Sequence, residues 1–413
     1  MLTIASLSRR LKHSFSASDI LFYILILLAA LSPPVWEYQG DFLTAFDIYL
    51  LFYALYRALS GGLRFRGTHW RTLVLVYVLY LAFLAIGVLR VQSLFSLLLL
   101  IKHAEHLVFL LILIERFEET REPGKDIKVI LLLLLLVIAY QILYFHGMIP
   151  GIGDNRFRLG LPFMRGTSSN PAGFFLGALL IYLIHRGFAL KLRTGFILII
   201  LLAALYALFM TDSRTNILAF MFVLAVSAGI AVWRSRQRWP LLAGLLALAA
   251  LLYFLVLPQI PASWPLGEIA EMLKEPSRIL NDRSFSVRYS KLWPMGIEAW
   301  LSGPLSIVIG KGIGHFVVID GTVPRLLGEQ GVVGLLFFLY VWYAHFILHV
   351  PSKALGMLLL FSFINGLNGE TLVVSYRSIQ LYLVLLTLTI YSGRISADEG
   401  ERPPRRTLKS SGE

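Results

Sequence analysis

Cysteine is absent from this chain of 413 residues. That excludes disulfides, thiolate nucleophiles and cysteine-ligated metals together. Charge is scarce too, with Asp, Glu, Lys and Arg making up only 15% of the residues. A soluble domain of this length needs a far more charged surface. Acids are the scarcer sign, 24 against 37 Lys and Arg, which leaves a net charge of +13. The Walker phosphate-loop pattern is missing, no fixed-period repeat is visible, and no segment is large enough to form a separate soluble domain.

What fills the chain is hydrocarbon: 57% of residues are hydrophobic and mean hydropathy is +0.75. Apolar runs long enough to cross a bilayer recur along the whole length, the pattern of a polytopic all-α membrane bundle. Such spans must be helical, because hydrocarbon offers the backbone no hydrogen-bond partners. The expected spans are 19–34, 42–57, 71–89, 93–114, 128–146, 170–186, 194–210, 214–233, 240–257, 332–350, 354–368 and 376–392. They form one integral-membrane domain over 1–392, with a large outward loop at 258–331 and a disordered cytoplasmic tail at 393–413. The basic start lacks a small-residue cleavage site, so its apolar stretch is read as the first span. The mixed-charge stretch 115–128 reads as an interfacial helix end followed by a Pro-Gly turn.

With the N-terminus inside, most short basic loops fall on the cytoplasmic side, as the positive-inside rule requires. Arg156, Arg158, Arg165, Arg214, Arg278, Arg283 and Arg288 then face outward, against the rule. An anionic ligand on that side accounts for them. Arg156, Arg158 and Arg165 precede a span opening at Ser169-Asn170-Pro171, a helix start whose N–H groups and dipole favour an anion. The bland alternative is a loop of snorkelling arginines. Asp212, Ser213, Arg214 and Asn216 interrupt two spans with almost no loop between them, where charge is costly. Asp212 as a helix cap paired with Arg214 is the structural reading; ligand binding by Arg214 is the functional one. Arg283 and Arg288 flank an amphipathic helix start with Ser284 or Ser286 as cap.

The glycines of 310–314 suit a tight re-entrant path. After them, His315, Asp320 and Glu329 are the titratable side chains able to accept a proton. Lys102, His103, Glu105 and His106 lie within a span and read as a partnered intramembrane network or, by the histidine spacing, a metal pair. Asn365, Asn368, Glu370, Tyr376 and Arg377 form a further outward turn.

In chain order, SNPAGF at 169–174, SRT at 213–215, SVRYSKLW at 286–293, GKGIG at 310–314 and LLGEQGVVG at 326–334 resemble the O-antigen ligase and O-antigen polymerase superfamily. The likeness covers about residues 90–390. It implies a bundle of typically twelve spans in the bacterial inner membrane with its active site facing the periplasm. It implies metal-independent transfer of a glycan from undecaprenyl pyrophosphate to a sugar acceptor, without a cofactor. By position, Arg214 and Arg288 match the family's pyrophosphate-contacting arginines, with Arg156, Arg158 and Arg165 in support. Ligases of the family carry a His-Asn pair where this sequence reads Asp320-Gly321, so the base role falls to Asp320 or His315. The missing pair favours polymerisation of O-antigen or exopolysaccharide repeat units over ligation to lipid A-core. A lipid-linked oligosaccharide transporter is the rival from another class.

Overall fold

The computed structural model describes residues 16–31, 33–38, 41–61, 67–120, 123–149, 159–161, 169–190, 193–235, 286–316, 319, 321–368 and 376–400, with 240, 267 and 271 besides. The first half is a series of antiparallel helices: α1 (Ala17–Leu31), α2 (Ala45–Leu59), α3 (Thr68–Val91), α4 (Leu94–Glu119) and α5 (Pro123–Phe145). Then come α6 (Ser169–Arg186), α7 (Thr194–Met210) and α8 (Arg214–Arg234). The second half holds α9 (Trp293–Leu301), α10 (Pro304–Ile309), α11 (Thr322–Leu339), α12 (His345–His349), α13 (Lys353–Asn368) and α14 (Tyr376–Gly400). A π-helical turn at Arg288–Leu292 leads into α9, and another at Tyr340–Ala344 joins α11 to α12.

Five of these segments are long and apolar enough to cross a membrane: Thr68–Val91, Leu94–Glu119, Pro123–Phe145, Arg214–Arg234 and Thr322–His349. Four shorter helices are also apolar. Helix covers eleven of the twelve expected spans; 241–257 lies outside the described residues. Along α3, Leu75, Val78, Leu79, Ile86 and Leu89 all project outward, Leu89 with 73% of its surface uncovered. A stripe of that kind is a liability in water and ordinary against lipid. By contrast α6 is buried all round from Ala172 to Leu183, and α14 from Ser378 to Ser392. Helices apolar on every side belong at the centre. These two pack on each other, with α7, α8 and α13 around α6 and α1, α4 and α5 around α14.

Short connections keep neighbours antiparallel. Between α3 and α4 only Gln92 and Ser93 intervene: Gln92 takes the left-handed conformation (φ 52°) and the Ser93 hydroxyl caps α4 by accepting from Ser96 N–H at 3.1 Å. Helix ends therefore gather on two opposite faces. One carries Ser18, Arg57, Trp70 and Arg116; the other carries Thr44, Arg90, Asn170 and Ser213.

Four boundaries differ from expectation. Residues 34–44 form an antiparallel hairpin, β1 (Pro34–Tyr38) with β2 (Asp41–Thr44), pairing Glu37 with Phe42. It ends in a capping box in which Asp47 Oδ2 accepts Thr44 N–H at 2.7 Å. Pro123 and Gly124 open α5 instead of making a turn, since proline loses nothing at a first helical turn, where its N–H has no partner anyway. The segment expected to finish a loop at 331 already contains helix from Thr322. Finally α14 runs past 392 to Gly400, because no proline intervenes before Pro403.

Candidate functional site

Arg214 is the first residue of α8, reached from the end of α7 through only Thr211, Asp212 and Ser213. So sharp a reversal requires a left-handed residue, and Asp212 supplies it with φ 53°. Ser213, not Asp212, occupies the cap position, and its side chain does not cap the helix. The Ser213 hydroxyl instead donates to Asn170 Oδ1 at 2.7 Å. The Asn216 amide donates to Ser213 Oγ at 2.6 Å and to the Asn170 carbonyl at 3.0 Å. Thr211 completes the turn by donating to the Leu208 carbonyl at 2.7 Å. Thr211, Ser213 and Asn216 are buried, so this neutral network is a fixed part of the structure.

The first turns of α6 and α8 meet so closely because residue 173 is glycine. A Cβ there would stand 2.8 Å from Asn216 Nδ2 and 3.0 Å from Ser213 Cβ. The loop before α6 is anchored at the same place: Leu159 N–H donates to the Met210 carbonyl at 2.9 Å. Gln141 of α5 donates to the Gly160 carbonyl at 2.9 Å. Leu159 and Leu161 are buried.

Arg288 begins the π-helical turn that feeds α9 and is half-buried. α9 lies on the first turns of α11, with Gly296 against the Pro324 carbonyl. Those first turns belong to the same face as the Arg214 turn, since Gly366 at the end of α13 meets Thr322. Hence Arg214 and Arg288 lie on one face of the bundle.

The glycine-rich loop has a structural task. α11 breaks at Gly331 (φ 64°, ψ −165°), a conformation that favours glycine. The break strands carbonyls of the preceding turn, and the loop serves them: Lys311 N–H donates to Gly328 O at 2.9 Å and Gly312 N–H to Glu329 O at 2.7 Å. Arg90 of α3 donates to the Gly310 carbonyl at 2.6 Å. Just beyond, the backbone of Phe316 is held from both sides. Its N–H donates to Glu329 Oε1 at 3.1 Å, and its carbonyl accepts from Arg325 Nη2 at 2.8 Å. Arg325 and Glu329 also pair directly at 3.3 Å with both side chains fully buried. Glu329 is thus part of this clamp. His315 is exposed on the clamped loop, its ring edge-on to Phe316.

Asp320, Arg156, Arg158 and Arg165 lie outside the described residues, as do Arg278 and Arg283. The structure therefore brings Arg214, Arg288 and His315 to one face. Arg90 and Arg325 escaped the sequence reading. For Arg325 the available signal was Glu329 four residues later, a helical ion-pair spacing. The intramembrane cluster is a partnered network: Lys102 bridges Asp47 of α2 and, at 3.0 Å, Glu105. The His103 and His106 rings stand edge to face, 6.1 Å apart. Among the described residues, no group of three or more histidines and carboxylates is arranged to hold a metal ion. Comparison of the sequence with protein-family models and with curated proteins gives no match.

Proposed function

We propose that the chain is a membrane glycosyltransferase that takes a glycan from an undecaprenyl-pyrophosphate donor and polymerises repeat units of O-antigen or exopolysaccharide. In this reading it sits in the bacterial inner membrane with the Arg214 face toward the periplasm. The observation that supports it is the Arg214 turn: an arginine at a helix start, set by buried neutral hydrogen bonds, on the same face as Arg288. Guanidinium groups hold phosphate oxygens in pairs, and a helix start adds N–H donors and a favourable dipole.

Arg214 and Arg288 grip the pyrophosphate, with Arg156, Arg158 and Arg165 assigned to support them. As the anomeric C–O bond breaks, its electron pair passes to the leaving pyrophosphate. A preplaced donor aimed at that growing charge contributes about 3 kcal/mol. The acceptor hydroxyl attacks from the opposite side, inverting the anomeric centre, and its proton passes to Asp320 or His315. His315 suits a base by its exposure and by the clamp that fixes the next residue.

Purified protein incubated with lipid-linked repeat units, with and without lipid A-core, tests the reading. Chain lengthening without the core is the expected result. Transfer only when the core is present would make the protein a ligase. Lipid movement across vesicles with no new glycosidic bond would replace the enzyme by a transporter.

A further inference from the structure

On the face opposite Arg214, the ends of α1, α2 and α4 enclose a cavity of about 190 Å³ lined by Ser18, Arg57, Glu115, Arg116, Glu119 and Thr120. That is far more room than a single water requires. Its arginines are each held along one edge. Arg57 meets Glu115 and, at 2.9 Å, Glu119. Arg116 meets Asp126 through Nε and Nη2, and Asp19 through Nη2. Among the described residues neither Nη1 group has a hydrogen-bond partner. The Nη1 group of each guanidinium is thus left over, on residues that line the cavity.

The charges decide what they suit. Glu115 and Glu119 line the cavity with the two guanidiniums, and Asp19 and Asp126 stand behind them as further partners of Arg116, so in the whole network carboxylates outnumber guanidiniums by two. A purely anionic group would enter against that excess. A group carrying a phosphate and an ammonium together satisfies both: phosphate oxygens accept from the Nη1 edges, and the ammonium donates to Glu119, whose side chain is 41% exposed. A primary ammonium has three N–H donors for this and a trimethylated one has none.

We infer that this cavity binds a phosphoethanolamine group, presented by a membrane phospholipid. Its place at three helix ends, where a bundle with an apolar exterior meets headgroups, selects the lipid as the source. The site is separate from the Arg214 face and does not depend on the glycan-transfer reading.

The test is native mass spectrometry of the full chain in mild detergent, titrated with phosphatidylethanolamine, phosphatidylcholine and phosphatidylglycerol of identical acyl chains. Phosphatidylethanolamine is expected to bind about tenfold more tightly than either, the spacing of one lost charged contact. Glu119→Gln should remove most of that preference, weakening phosphatidylethanolamine binding while phosphatidylglycerol binds no less tightly than before. Glu119 is partly exposed at a helix terminus, so this variant keeps the fold, which a thermal melt verifies. Equal binding of the three lipids, or an unchanged preference in Glu119→Gln, overturns the inference. Free phosphoethanolamine binding as tightly as the lipid overturns the membrane source.

Discussion

The two faces of the bundle use arginine differently. On the face carrying Ser18, Arg57 and Arg116 each meet two carboxylates and tie α1, α2, α4 and α5 together. On the opposite face, Arg214 starts a helix whose turn is fixed by neutral hydrogen bonds, among the side chains of Asn170, Ser213 and Asn216 and from Thr211 to the backbone. Carboxylate bracing neutralises an arginine as it positions it; the amide and hydroxyl bonds that set the Arg214 turn are themselves uncharged. Arg325 shows the first kind at its extreme, buried on the second face with Glu329. The two kinds therefore differ in how an arginine is set, by opposing charge in one and by a neutral hydrogen-bonded turn in the other.

The largest effect should come from breaking the buried pair. Arg325→Met leaves the Glu329 carboxylate buried without its partner, a loss of about 3–5 kcal/mol. A thermal melt in detergent should show it as a large drop in midpoint or as failure to accumulate folded protein. Arg325→Met with Glu329→Gln should recover most of that loss, because no uncompensated charge remains. If the double variant is no better than the single, the pair is not what makes Arg325 structural. Arg214→Ala ranks next and should separate the two kinds of arginine. We expect turnover of lipid-linked repeat units to fall by about a hundredfold, the scale of one transition-state donor, with the melting midpoint little changed. Full activity in Arg214→Ala would end its assignment to the pyrophosphate.

Much of the bundle was legible because lipid imposes a simple code. Apolar runs, breaks at Pro and Gly, and basic loops placed the helices, and the start of α8 at Arg214 coincides with its expected boundary. Legibility failed where polar residues enter a helix for reasons of packing. The first turns of α11 carry Arg325, Glu329 and Gln330, which lower the apolar signal although all three are buried. Their partners, Phe316 and Tyr80, come from other segments; Tyr80 donates to Gln330 Oε1 at 2.9 Å across 250 residues. At the candidate site, the residue types were visible in sequence and their wiring was not. Asn170 and Asn216 stood out as polar breaks, but their meeting depends on the contact of α6 with α8, which no local pattern encodes. The Lys102 cluster was legible as a network, and its partner Asp47 on another helix was not.

A smaller perturbation tests whether neutral bracing matters for the Arg214 turn. Gly173→Ala places a methyl group 2.8 Å from Asn216 Nδ2, and overpacking of this kind costs about 1–3 kcal/mol. The turn should shift, so activity should fall further than the melt alone explains. Gly356→Ala is the control. Its Cβ would meet nothing within 4 Å, and alanine in a helix is better than glycine by about 0.5–1 kcal/mol. If the two variants behave alike, the close approach at Gly173 does not brace the turn.

The smallest expected effect lies within the carboxylate-braced face itself. Glu115 and Glu119 both bridge Arg57 at 2.9 Å, but their side chains are 2% and 41% exposed. Solvent screens the second bridge, so Glu119→Gln should change stability by about 0–1 kcal/mol. Glu115→Gln removes a buried acceptor and leaves Arg57 with a poorer neighbour where water does not reach, so it should cost clearly more. Thermal melts of the two variants at matched ionic strength check the order. The difference should persist at high salt for Glu115 and shrink for Glu119, because salt screens exposed charges far more than buried ones. An equal loss at both positions would mean that Arg57 is held by distance alone, and that burial does not grade the bracing on this face.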